Sequence, residues 1–82
     1  MLRGIYRLVR ILFRSNLHEE LNLCEKVNIC YIQGMTVRNT FERLGIDEKN
    51  IGMIIRGGLC IMPSDLIEDE DSIELFPFYM GG

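Results

Sequence analysis

With 82 residues, 48% of them hydrophobic and 26% charged, the chain has the composition of one globular domain rather than of a disordered segment, and it is too short to enclose a deep catalytic cleft. A small module that presents something to larger partners is the expectation. A net charge of −3 argues against a nucleic-acid binder, which needs a basic face, although Arg3, Arg7, Arg10 and Arg14 gather at the start while Asp65, Glu68, Asp69, Glu70, Asp71 and Glu74 crowd the end.

Cys24, Cys30 and Cys60 form no C-x-x-C pair, and an odd number is a poor disulfide framework, so a reducing, cytoplasmic setting is expected. Each reads as a small buried apolar residue, because no histidine or second cysteine stands at ligand spacing. No metal is expected. His18, beside Glu19 and Glu20, reads as a surface histidine. Arginine interrupts the apolar residues of Met1 to Phe13 every three or four positions, unlike a secretory segment, and no run approaches the length of a membrane span.

The segment from Ile5 to Arg14 is rich in β-branched and aromatic residues, which suits a strand. Its arginines also follow helical spacing, so a basic helix lying on a membrane surface or a partner is the competing reading. A strand buried on both faces is preferred, since so wide an apolar helix face is hard to cover in a small chain. Ser15 to Leu21 starts with capping residues followed by glutamates, and reads as a connecting turn or a short helix. Val27, Ile29 and Tyr31 alternate with Asn28 and Cys30 at the period of a half-buried strand. Leu21 and Leu23 share that parity, which leaves the start of the strand open back to Leu21.

Thr36 is placed to cap a helix with Val37, Phe41 and Leu44 on one face, and Gly45 fits its left-handed stop. Ile51 to Ile55 and Leu59 to Met62 flank Gly57-Gly58 and read as a hairpin, because glycines supply the positive φ of tight hairpin turns. No lysine and hydroxyl residue follow, as a nucleotide-binding loop would require. The acidic run Glu68 to Asp71 reads as a solvated turn in preference to a docking patch for a basic groove, with Leu66 and Ile67 available to pin the loop to the core. A last strand begins at Ile73, and Pro77, which has no backbone donor, marks where its pairing stops. Residues 77–82 are expected to form a flexible C-terminal tail on a single domain spanning 1–82.

The sequence closes on Gly81-Gly82, whose lack of Cβ lets a backbone thread a channel closed to other residues. This ending resembles that of the MoaD/ThiS family of ubiquitin-like sulfur carriers. The resemblance covers most of the chain: Gly34-Met35-Thr36-Val37 opening the helix, Leu44-Gly45-Ile46 closing it, the Arg56-Gly57-Gly58 hairpin, the turn from Ile67 to Ile73, and Pro77 ahead of the final glycines. There are three departures, and the N-terminal stretch with its arginines fits the family least well. The family usually carries glycine where Glu70 stands, so Glu70 is expected to adopt a different turn or to bear strain, and it often has asparagine where Arg56 stands.

The resemblance implies an α+β, β-grasp (ubiquitin-like) fold, a mixed sheet of four or five strands with one main helix packed across it. It also implies a carrier rather than an enzyme. A ubiquitin-activating-like adenylyltransferase uses ATP to adenylate the Gly82 carboxylate, and a persulfide donor then leaves it as a thiocarboxylate. The sulfur acceptor is the large subunit of molybdopterin synthase or thiazole synthase, with the Phe76-Pro77 approach to the tail favouring the molybdenum or tungsten cofactor branch over thiamine. Gly81 keeps the tail slender, and Phe76, Phe78, Tyr79 and Met80 are candidate anchors for partner grooves, although strand and core packing is the simpler role for Phe76. Two other functions compete. One is a ubiquitin-like modifier joined to proteins through Gly82; the other is a non-covalent interaction module that uses the N-terminal arginines.

Overall fold

The computed structural model describes residues 7–78. The first strand, β1 (Leu8–Phe13), is followed by a short helix, α1 (Leu17–Leu21), and by β2 (Lys26–Cys30). The main helix, α2 (Val37–Leu44), leads through a 3-10 turn at Glu48–Asn50 into β3 (Ile51–Arg56), then β4 (Leu59–Cys60) and β5 (Ser72–Pro77). The five strands make one sheet in the order β2-β1-β5-β3-β4. Strands β1 and β5 are parallel neighbours at its centre, and the other pairs are antiparallel. This is the expected β-grasp arrangement, with five strands and one main helix.

One face of the sheet carries the core. Val9, Ile11 and Phe13 of β1 and Ile73 and Leu75 of β5 are essentially inaccessible, and Val37, Thr40 and Phe41 of α2 are buried with them. Full burial of each such large aliphatic or aromatic side chain is worth about 1.5–3 kcal/mol. The other face is open to solvent. The N-terminal stretch is therefore a strand, but it is buried on one face only, and the expectation of burial on both is corrected: Leu8 is exposed and Leu12 half-buried. Its nearly continuous apolar run reflects an apolar residue at every second position plus leucines spilled onto the open face.

The open face also explains where the cysteines go. All three are exposed, against the expectation of burial. Cys30 follows buried Ile29 and points the opposite way, Cys60 pairs with Ile55 in the two-residue outer strand, and Cys24 lies in the loop before β2. Leu21 ends α1 rather than starting β2, so the shared parity of Leu21 and Leu23 is a coincidence of packing: both sit against the core from outside the strand. His18 is half-buried in α1 rather than on the surface.

Helix α2 is capped as its sequence predicts, and more completely. The Thr36 hydroxyl accepts from the Asn39 amide, and the Asn39 side chain accepts in return from the Thr36 amide. Gly45 closes the helix at φ 71°. The hairpin Gly57 and Gly58 both have positive φ, 60° and 81°, as a two-residue turn with a right-handed strand twist requires. On the outer strand β2, the Cys30 carbonyl accepts a 2.6 Å bond from the Arg43 guanidinium.

The loop between β4 and β5 is tied to α2 through backbone bonds from the Val37 and Arg38 amides to the Asp65 and Pro63 carbonyls, and to β3 through Arg56. Arg56 donates to the Leu66 carbonyl at 2.7 Å and to the Asp71 carboxylate at 3.0 Å, and the same carboxylate oxygen accepts from the Glu68 amide at 2.8 Å. This is the least exposed ion pair among those of the described residues, with side chains 30% and 17% accessible. Ile67 is buried as expected, whereas the Leu66 side chain is 60% exposed and does not pin the loop. Between Glu68 and Asp71, joined by a backbone bond of 3.1 Å, Glu70 adopts φ 68°. A non-glycine residue there is strained, because its Cβ crowds the neighbouring carbonyl.

Replacing Arg56 with alanine leaves the Asp71 carboxylate and the Leu66 carbonyl short of a charged donor. We expect a loss of about 1.5–3 kcal/mol in denaturant unfolding, with an unchanged slope. Glu70→Gly should act in the opposite sense. Relief of the left-handed strain outweighs the added chain entropy of glycine by about 0.5–1 kcal/mol, which calorimetry would read as a rise in Tm of roughly 2–8 °C.

Candidate functional site

Strand β5 sits in the middle of the sheet and fixes the place where the chain leaves it. Pro77, the last residue of β5, is in register with Ile51 at the start of β3, so pairing runs up to Pro77 and stops there. Of the six residues read as the site, two are described. Phe76 is half-buried and in register with Met53, which makes it a sheet residue with a partly wet surface. Phe78 is 70% exposed just beyond the strand. Tyr79, Met80, Gly81 and Gly82 lie outside the described residues, as does Arg3 of the basic stretch.

Beside Phe78 lies an open groove of about 860 Å³ between β3, the 3-10 turn and the chain that follows β4. Met53, Met62, Pro63 and Phe78 give it apolar walls, and Glu48 and Lys49 border it. Met62 is 63% exposed. Cys60 also lines the groove.

Sequence reading passed over Gly52. The register of β3 against β5 slips between Ile51 and Met53, so Gly52 is an extra residue on its strand. A Cβ at that position would lie 2.4 Å from the Pro77 carbonyl oxygen and 2.5 Å from the Phe78 Cα. The two backbones meet here at a distance that only glycine permits. The signal available in the sequence was a lone glycine inside an apolar strand, which marks a bulge or a close backbone approach.

The charges around this framework are mostly paired. Arg14 binds Glu74 at 2.6 Å, Arg10 lies 3.4 Å from the Ser72 hydroxyl, and Arg7 lies 3.7 Å from Asp69. The basic start thus closes onto the acidic end across the β1–β5 seam, and the helical reading, with its single arginine stripe, does not hold. Arg38 grips both carboxylate oxygens of Glu48, at 2.9 and 3.2 Å. That hydrogen bonding, reinforced by the opposite charge, holds the Glu48 carboxyl below its ordinary range and raises the Arg38 guanidinium above its own. No group of three or more histidine, cysteine, aspartate or glutamate side chains among the described residues could hold a metal ion. No helix among them is long and apolar enough to cross a membrane.

Because the folded-state value of Glu48 is depressed, its contribution is fully present above the unfolded carboxylate value and is lost as the pH falls through the lowered one. Arg38→Met is expected to lower stability slightly at neutral pH, where the contribution is present, and to converge with wild type as the pH falls, in a series of denaturant melts from neutral pH downward; the loss is small because both partners are solvent-exposed.

No protein-family model matches the sequence, and no curated protein matches it. Its structure does have close counterparts. A protein described as molybdopterin converting factor subunit 1, from Pyrococcus furiosus, superposes with a TM-score of 0.66 at 16% identity, over 87% of this chain and 97% of that one. Two crystal structures of small archaeal modifier protein 1 from Haloferax volcanii give TM-scores of 0.71 and 0.68 at 17% and 15% identity. They cover 92% and 87% of this chain and 99% and 97% of theirs. The chain therefore shares, over nearly its whole length, the β-grasp fold of these small ubiquitin-like proteins.

Proposed function

We propose that the protein is a sulfur carrier of the MoaD/ThiS type, with the Gly82 carboxylate as its reacting group. The observation that carries this reading is the placement of β5. A central strand, paired with β1 up to Leu75 and with β3 up to Pro77, releases the chain only a few residues before Gly82.

The chemistry follows from what a carboxylate lacks. Its negative charge repels nucleophiles, so a partner adenylyltransferase must first convert one oxygen into a leaving group. The carboxylate attacks the α-phosphate of ATP, pyrophosphate departs, and an acyl adenylate results. Sulfur from a persulfide then displaces AMP, and reductive release leaves a thiocarboxylate that can pass its sulfur to a synthase. The carrier contributes no general base or metal to these steps. It contributes a slender end, Gly81-Gly82, and contact residues ahead of it in Phe78, Tyr79 and Met80. The likeness to a molybdopterin converting factor subunit supports molybdopterin synthase over thiazole synthase as the acceptor.

The likeness to small archaeal modifier protein 1 favours a second reading, in which the same activated Gly82 is joined to lysines of other proteins. The activated intermediate is shared, and the two fates part at the acceptor. A third reading, binding through a free basic stretch, is weakened by the engagement of Arg7, Arg10 and Arg14 with Asp69, Ser72 and Glu74.

Incubation with the host's activating enzyme, ATP and a persulfide source is expected to add the mass of one oxygen-to-sulfur exchange, mapped to Gly82 by fragmentation. Deletion of Gly82 should abolish the gain and leave the thermal melt unchanged. Retention of the gain in that deletion would overturn the carrier reading, whereas Gly82-dependent conjugates on a denaturing gel from native cells would favour the modifier.

A further inference from the structure

We infer that Gly52 is a positioning residue for the reactive terminus: it sets the height and angle at which the chain leaves the sheet, and so aims the carboxylate tail. The inference rests on the carrier or modifier reading for its functional consequence, but its geometry is independent of that reading.

Three features converge on the point. Strand β3 carries its one register shift between Ile51 and Met53, opposite the end of β5. A bulge bends its strand and increases the local twist, which re-aims whatever is paired to it. The Pro77 carbonyl and the Phe78 Cα pass over Gly52 at 2.4 and 2.5 Å from where a Cβ would stand, closer than side-chain carbons approach any backbone atom. Finally, Pro77 has a fixed φ and no donor, which removes one degree of freedom and one ladder bond at the end of the strand. The last strand is thus seated against bare backbone on one side and stiffened by proline at the point of departure.

Gly52 is not needed here for backbone freedom, since its φ does not lie in the left-handed region, unlike the four glycines at turns and caps. What the position requires is the absence of a side chain. An alanine there would push the Pro77 carbonyl away by about 1 Å to reach ordinary contact. The displacement falls at Pro77 and Phe78, where the chain leaves the sheet. Holding a reacting group in its productive geometry is worth much of a catalysed rate, and a misplacement of about 1 Å can cost on the order of 100-fold. A carboxylate presented at the end of a short tail depends on its point of departure in the same way.

The test compares wild type, Gly52→Ala and Ile54→Val in pyrophosphate exchange with the host's activating enzyme. Ile54 is a buried core residue of the same strand, and its trimming serves as the control for lost stability. Amide chemical shifts of residues 72–78 provide a second readout that needs no enzyme. We expect Gly52→Ala to remain folded, to shift the Phe78 amide, and to lose between about 10- and 100-fold in kcat/KM. Ile54→Val should stay within about twofold of wild type, as the loss of one methyl from a buried side chain leaves the close approach at Gly52 unchanged.

Wild-type kinetics in Gly52→Ala would overturn the inference and leave the carrier reading standing. An unshifted Phe78 amide would overturn it on structural grounds alone. Equal losses in both variants would also overturn it, because instability would then account for the effect. Should wild type itself fail to exchange pyrophosphate with an enzyme active on another carrier, the functional reading falls and the positioning role falls with it.

Discussion

The parallel pairing of the first and last strands is the contact on which everything else in this fold depends. Strand β1 otherwise pairs only with β2, and β5 only with β3, so without the central seam the sheet separates into a two-stranded and a three-stranded piece. Small ribbons of that kind are marginal in water. With the seam closed, Val9, Ile11 and Phe13 lie beside Ile73 and Leu75, and one short helix suffices to cover the combined surface. Backbone bonds from Arg10 to Asp71 and from Arg14 to Leu75, both 2.9 Å, lock the register at its two ends. Such contacts close a loop of some sixty residues, judging by the Arg14–Glu74 spacing, and a parallel crossover of this kind is slow to form.

The arrangement ties the chain's stability to its exit. A terminal strand at the edge of a sheet can fray residue by residue, whereas β5 is flanked by β1 and β3. Strain in the loop before it is borne by the same framework. Glu70 keeps its unfavourable φ because Asp71 is fixed on one side by Arg56 and Glu68, and β5 is fixed on the other. Arg56 and Glu70 belong to one local structure. An arginine that reaches two residues across the loop holds a turn in which a non-glycine residue takes a left-handed φ.

Much of this was legible beforehand, and the reasons differ by element. Helix α2 was readable because its signals are local: a cap at Thr36, an apolar face, and a glycine stop at Gly45. The hairpin was readable from paired glycines with apolar flanks. The strand at Leu8–Phe13 was correctly typed but its burial was misread, since an apolar run looks the same whether its second face is buried or merely tolerates leucine. The cysteines were misplaced for a related reason, as burial statistics for the residue type say nothing about which face of an outer strand it occupies. The reciprocal Asn39 bond, the Arg56 network and the role of Gly52 depend on which distant segments meet. Gly52 in particular is defined by the backbone of residues 77 and 78, a relation that a one-dimensional pattern cannot express.

One feature of the outer strands bears on how the molecule behaves in a crowded solution. An open sheet offers unpaired amides and carbonyls to any extended chain, including another copy of itself. Here β4 is only two residues long, too short to seed a ribbon, and at the opposite side the Cys30 carbonyl of β2 is already engaged by the Arg43 guanidinium. A strand approaching that end of β2 would have to displace a charged donor from a short bond and then lie alongside its charge. The helix that covers the core thereby also guards that end of the sheet's border against the addition of a further strand.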